Sequence, residues 1–337
     1  MRSRSAVSIG LTVLLIASLV VAVGIGAVSI APMTALRIVW HVFFPASLTP
    51  DWSPSDEAII WQLRLPRVLL GAITGAGLAV VGASLQAATR NPLADPYLFG
   101  ISAGAALGAV TVLLHTGAFL GPLTLPIAAF AGALLSVGLV TGVAGSQRRL
   151  SPDRLILSGV AVSFVLMAAT NFLIFQGDRQ GAASIIFWML GSLGHARWGN
   201  LAIPAIVLAG GLFYLIAQAR RIDALILGDE SALTLGIDVA KFRLRLFLVA
   251  AVVTGTLVAV SGAIGFVGLM IPHILRLFVG SNNRTLLPAC ALGGAVFLVW
   301  IDVCARTVMA PEDLPIGIFT AAIGGAFFLW QMRRRRV

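Results

Sequence analysis

Residues 66–88 read PRVLLGAITGAGLAVVGASLQAA. Past Arg67 no charge interrupts the run, and a bilayer's hydrocarbon core takes about 20 apolar residues per helix. A soluble helix of that length would show a polar face; this one, past Arg67, shows only Thr74, Ser84 and Gln86. The run predicts a membrane span. Its glycines, Gly71, Gly75 and Gly82, recur with small neighbours at four-residue spacings, which lets helix backbones approach closely where lipid supplies little hydrophobic drive.

The rest of the chain repeats the pattern. Of 337 residues, 59% are hydrophobic and 11% charged, against about 25% charged in a soluble domain, and the mean hydropathy is +1.00. Candidate spans fall at roughly 6–31, 66–88, 96–115, 123–145, 155–175, 198–217, 243–262, 264–279, 287–309 and 315–332. None alternates as a membrane β-strand does. The fold expected is an all-α polytopic membrane protein of ten helices, a single domain over 1–337. The first run, behind Arg2 and Arg4, is longer than the roughly 7–15 residues of a signal-peptide core and is read as a retained helix.

A net charge of +10 would suit nucleic acid, but the cations sit in short patches between apolar runs, so no nucleic-acid partner is expected. With a cytoplasmic N-terminus, most of the Lys and Arg fall inside, among them Arg90, Arg148, Arg149, Arg220, Arg221 and Arg333 to Arg336. Outside remain Arg37, Arg64, Arg67, Arg179, Arg197 and Arg306. The positive-inside rule then puts both termini in the cytoplasm.

Residues 74–83, TGAGLAVVGA, match residues 254–263, TGTLVAVSGA, at six of ten positions. The segments lie five spans apart, hence in opposite orientation, the sign of an inverted repeat in transporters; chance similarity between Gly- and Ala-rich helices is the alternative.

Chemistry is sparse. A phosphate-binding loop needs Gly-x-x-x-x-Gly-Lys-Ser/Thr, and the one lysine, Lys241, stands between Ala240 and Phe242. No ATPase, no catalytic residue and no cofactor is expected in this chain. His41, His115, His195 and His273 are scattered at span ends, and Cys290 and Cys304 form no ligand spacing, so no metal site is expected. Asp302 is the clearest acid within a span; Arg306 follows one turn later, as an ion pair or, less simply, a proton relay. So few buried acids argue against an ion-coupled secondary carrier.

Five stretches point to one family: Leu63-Arg-Leu-Pro-Arg67, Arg90-Asn-Pro-Leu-Ala-Asp-Pro96, Gly228-Asp-Glu-Ser-Ala-Leu-Thr-Leu-Gly236, Gly262 to Arg276 (GAIGFVGLMIPHILR) and Asp313-Leu-Pro-Ile-Gly317. In this order they resemble the FecCD-type permeases, importers of ferric siderophores, heme and vitamin B12. The resemblance runs from about Trp61 to the last span. It implies the type II ABC importer permease architecture: a homodimer with its path along the dimer axis, two ATP-binding cassette subunits that hold ATP and Mg, a periplasmic substrate-binding protein, and a bacterial inner membrane.

The resemblance also implies roles. The cytoplasmic loop 218–242 becomes the ATPase-coupling element, with Gly228, Asp229, Glu230, Ala232, Leu235 and Gly236; the acids would start a helix near its positive end. Arg64, Arg67 and Arg306 would face the binding protein's acidic residues, lipid headgroups being their other reading. Ser151, Pro152 and Asp153 occupy the cytoplasmic gate, with a proline and an acid where small hydroxyl residues occur in relatives. Arg179, Phe187, Trp188, Met189 and His195 would line the outer part of the translocation path; an interfacial anchor is the competing reading of the aromatic pair. Arg179, Met189 and His195 favour heme as cargo, ahead of ferric siderophore and cobalamin.

Overall fold

The computed structural model describes residues 2–145, 151–177, 185 and 187–334, and every regular element among them is helical. Helix α1 (Arg2–Gly24) is followed by α2 (Pro32–Phe43), α3 (Pro54–Thr89) and α4 (Ile101–Thr116). Then come α5 (Thr124–Ala144), α6 (Pro152–Gln176), α7 (Ala202–Ala217), α8 (Ala219–Ile226) and α9 (Asp229–Thr234). The chain continues through α10 (Val239–Ser261), α11 (Val267–Val279), α12 (Asn283–Ala305) and α13 (Ile316–Arg334). Eight of these are long and apolar enough to cross a membrane; α4 and α11 are shorter apolar helices. Each of the ten expected spans therefore has its helix.

Boundaries moved where backbone chemistry overrode hydropathy. The first span stops at Gly24 rather than Ala31, and α2, unforeseen, follows it. The third begins only at Ile101, because Pro96–Phe99 forms a short 3-10 turn and Gly100 takes a left-handed φ of 71°.

Close approach is built on glycine, as the small-residue spacing predicts. A methyl on Gly75 would lie 2.1 Å from the Gly294 carbonyl oxygen, joining α3 to α12. One on Gly82 would lie 1.9 Å from the Gly268 oxygen, joining α3 to α11. Beside that contact Gln86 donates to the Gly268 carbonyl (3.1 Å) and accepts from Arg276 (2.6 Å), so an uncharged amide satisfies polar groups in the apolar interior.

The packing has an exchange pattern. Helices α3 and α10 carry the matching ten-residue segments. α3 packs on α12 and α11, while α10 packs on α5 and α4. Exchanging α3 with α10, α4 with α11 and α5 with α12 maps one set of contacts onto the other. The two short helices correspond under this exchange, and each follows a left-handed residue, Gly100 and Phe266 (φ 68°).

The far end of α1 is held by charge. Arg306 Nη2 donates to the Ala22 carbonyl (2.7 Å), and Arg64 Nη1 donates to those of Val23 (3.2 Å) and Gly24 (2.8 Å). Arg64 also donates to Val28 O. The last carbonyls of a helix lack intrahelical partners and carry its negative dipole end; two guanidinium groups answer both needs.

Candidate functional site

Two breaks in corresponding helices mark where a transporter holds its cargo. Here the segment before α4 and the segment before α11 face one cavity of about 1020 Å³. Asn91, Asp95 and Tyr97 come from the first, Ala263, Gly265 and Phe266 from the second. Helix α13 forms the long wall, contributing residues from Gly317 to Met332, about 22 Å of helix at 1.5 Å per residue. That length is most of a bilayer's hydrocarbon thickness. A second cavity of about 360 Å³ between α4 and α6 shares Tyr97, Leu98, Met189 and Ala263 with it.

The lining is mainly apolar, and no Lys or Arg is part of it among the described residues. His273 lies mid-helix on α11 with the Gln331 amide nitrogen 2.7 Å from its Nε2. This leaves Gln331 Oε1 buried without a hydrogen-bond partner. Asp95 starts the 3-10 turn by accepting the Tyr97 N–H (2.9 Å), and burial pushes its carboxyl up to about 6. Phe266, in a backbone conformation uncommon outside glycine, places its ring where a Cβ on Gly324 would stand, 2.4 Å from Cδ1.

At the end of the cavity where α13 begins, three segments are joined through backbone. Ser192 N–H donates to Ser261 O (2.8 Å), Ile316 N–H to Gly191 O (2.9 Å) and Gly317 N–H to Leu190 O (2.9 Å). Glycine is required here: a Cβ on Gly262 or Gly317 would lie 2.2 Å from the carbonyl oxygen of Trp188 or Leu190.

The predicted path residues divide. Met189 lines the main cavity, whereas Phe187, Trp188 and His195 line a separate one of about 390 Å³ with Ser192 and Asn200. Arg179 lies outside the described residues. Sequence reasoning set His273 at an interface and missed it here; its place next to Pro272, inside a stretch that opens with three glycines, was the available clue.

The predicted docking arginines are not free outward charges. Arg64 and Arg306 are buried at the end of α1. Arg67 donates to Asp302 (2.8 Å) and Asp313 (2.5 Å), and Arg306 lies 3.5 Å from Asp302. These residues tie α1, α3, α12 and the 306–315 loop together. Of the two readings of Asp302, the structure has the ion pair.

In the loop 218–242, Gly228 (φ 119°) and Gly236 (φ 76°) bracket α9. Ala232 is buried and Glu230 exposed, while Leu227, Leu233 and Leu235 form an exposed apolar group. Asp229 is turned inward. It accepts from Arg243 Nη2 at 2.8 Å, and Arg243 Nε donates to Ala88 O (2.9 Å) at the end of α3. Ser151 precedes α6, Pro152 takes its first position, where a missing N–H costs nothing, and Asp153 lies exposed in the first turn. None of these three lines either cavity.

The FecCD transport family profile matches residues 14–334. The chain is 39% identical over 292 residues to the hemin transport system permease protein of Yersinia pestis, spanning 85% of this chain and 87% of that one. It is 43% identical over 284 residues to the cobalamin import system permease protein of Halobacterium salinarum, spanning 83% and 75%. A solved inward-facing structure of a metal-chelate type ABC transporter superposes with a TM-score of 0.85 at 29% identity, covering 98% of this chain and 99% of that one. A helical bundle with paired broken helices around a tall apolar cavity, matched over nearly its whole length, belongs to the FecCD transport family.

Proposed function

We propose that this chain is the permease subunit of an ATP-driven importer for large metal chelates, with heme as its cargo. The observation that carries the reading is the cavity between the two helix breaks, tall enough to cross most of a bilayer and poor in groups that would hold cargo tightly. A second copy facing the open side of α13 would complete the passage, and the whole chain serves as one permease domain.

Two ATP-binding cassette subunits, holding ATP and Mg, would seat against α8 and α9, where Leu227, Leu233 and Leu235 are exposed. ATP binding and hydrolysis there would drive the pair between outward- and inward-open states, with Ser151–Asp153 at the inner gate. A substrate-binding protein would deliver cargo to the outer face of a bacterial inner membrane, both termini of this chain being cytoplasmic. For heme in particular, Met189, Phe266, Phe328 and Met332 offer an adaptable apolar and aromatic surface to a large flat ring.

The test is uptake into proteoliposomes carrying this chain, its ATPase and its binding protein, with heme, a ferric siderophore or cobalamin offered in parallel. ATP-dependent accumulation of heme is expected. Accumulation of cobalamin or siderophore instead would keep the importer and replace the cargo. Uptake that ignores ATP and follows an ion gradient would overturn the importer.

A further inference from the structure

Helix α2 divides its surface into three strips. At 100° per residue, Ala35, Ile38 and Val39 point one way; Ala35 and Ile38 are buried in the cluster that holds Val23, Ile60 and Val68. Thr34, Arg37 and His41 form a narrow polar edge. Arg37 pairs with Asp51 (2.6 Å) and stands 5.6 Å from the Trp52 ring, and His41 meets the same ring edge-on. The third strip is Met33, Leu36, Trp40 and Phe43, confined to roughly 80° of the circumference. All four are exposed, Met33 by 67% and Phe43 by 65%.

An exposed strip of four large apolar side chains with no charge among them is unstable in water. Its position indicates what covers it. α1 exposes an apolar surface through Ile9, Val13 and Ile16, the surface a spanning helix turns to lipid. It ends at Gly24, and α2 begins at Pro32. The exposed strip of α2 thus continues the lipid-facing surface of α1 at the depth where α1 leaves the hydrocarbon. Tryptophan favours that depth, and the Trp40 ring lies 4.6 Å from that of Phe44, tilted by 32°.

We propose that α2 is an interfacial helix lying in the membrane–water boundary. Met33, Leu36, Trp40 and Phe43 are immersed among acyl chains, and the Thr34–Arg37–His41 edge sits at headgroup level. A helix of this type sinks its apolar face about 5–10 Å below the headgroup boundary. It would fix the outer ends of α1 and α3 relative to the bilayer.

The experiment places a nitroxide on Leu36→Cys, Phe43→Cys or, in the following exposed loop, Thr49→Cys. The background is Cys304→Ser, since Cys304 is the exposed native thiol and Cys290 is buried. The full chain, with its ATPase partner, is reconstituted in phosphatidylethanolamine–phosphatidylglycerol liposomes, and collisions with oxygen and with an aqueous nickel chelate are measured. The expected result is a shift of the oxygen-to-nickel ratio toward lipid at the Leu36 and Phe43 positions and none at Thr49. Equal nickel access at all three positions would overturn the proposal. So would shielding of Leu36 and Phe43 from both reagents, which would mean a protein surface, a second copy or the binding protein, covers the strip.

Discussion

Arg306 Nη2 donates to the Ala22 carbonyl oxygen at 2.7 Å, closing the end of the first helix with a residue 284 positions away. Arg306→Ala removes that cap and one of the two cations beside Asp302, which is fully buried. Loss of one partner from a buried ionic group costs about 3 kcal/mol, so thermal unfolding in detergent should fall by several degrees. Affinity for the binding protein, measured on the folded fraction, should be unchanged. A large affinity loss with unaltered stability would restore the docking role.

Asp229 is expected to act as a latch between α9 and the end of α3. Asp229→Ala leaves Arg243 beside the Ala88 carbonyl without its carboxylate, and α9 loses its tie to the end of α3. Uptake per ATP hydrolysed should drop by about tenfold, a coupling change of roughly 1.4 kcal/mol, while the ATPase itself continues to turn over. Asp229→Asn retains one acceptor and should lose less.

Glycine substitutions should separate packing positions from open ones. Gly82→Ala puts a methyl 1.9 Å from the Gly268 carbonyl oxygen; backbone must shift, at a cost of about 2 kcal/mol or more. Gly138→Ala meets nothing within 4 Å and should match or exceed the parent in stability. Thermal scans of the two variants check this.

Asp95 predicts a pH signature. Its folded pKa of about 6 lies above the ordinary 3.8. Protonation is therefore favoured by folding, and stability is lost as pH rises from about 4 through 6. Above about pH 7 the ionised, buried carboxylate carries the full penalty, on the order of 3 kcal/mol. Asp95→Asn, which keeps the acceptor for the Tyr97 N–H, should be more stable than the parent at neutral pH. The difference should vanish below about pH 4; a constant offset would contradict the burial argument.

Hydropathy made the ten helices legible, and the small-residue spacing in 71–82 announced the backbone contacts at Gly75 and Gly82. The repeat between 74–83 and 254–263 pointed to helices that turned out to exchange packing partners. What stayed hidden depended on distance in sequence. An arginine at a span's end reads the same whether it faces water or, like Arg64 and Arg306, the carbonyls of a helix far away in the chain. α2 is too short to read as a span, and its second apolar strip makes it look merely hydrophobic. His273 stayed hidden because an imidazole in an apolar run carries no sign of which way it faces; only the fold sets it mid-helix on α11, on the cavity wall.

The Phe266 ring seated at Gly324 has a consequence for how the cavity changes shape. Helix α13 is bonded through its first peptide groups to Leu190 and Gly191, and the ring engages it eight residues further on. Its far end is tied as well, by the Gln331 amide nitrogen 2.7 Å from His273 Nε2 on α11. The wall that α11 and α13 share is therefore one piece, and a change in the cavity's shape falls to its other walls.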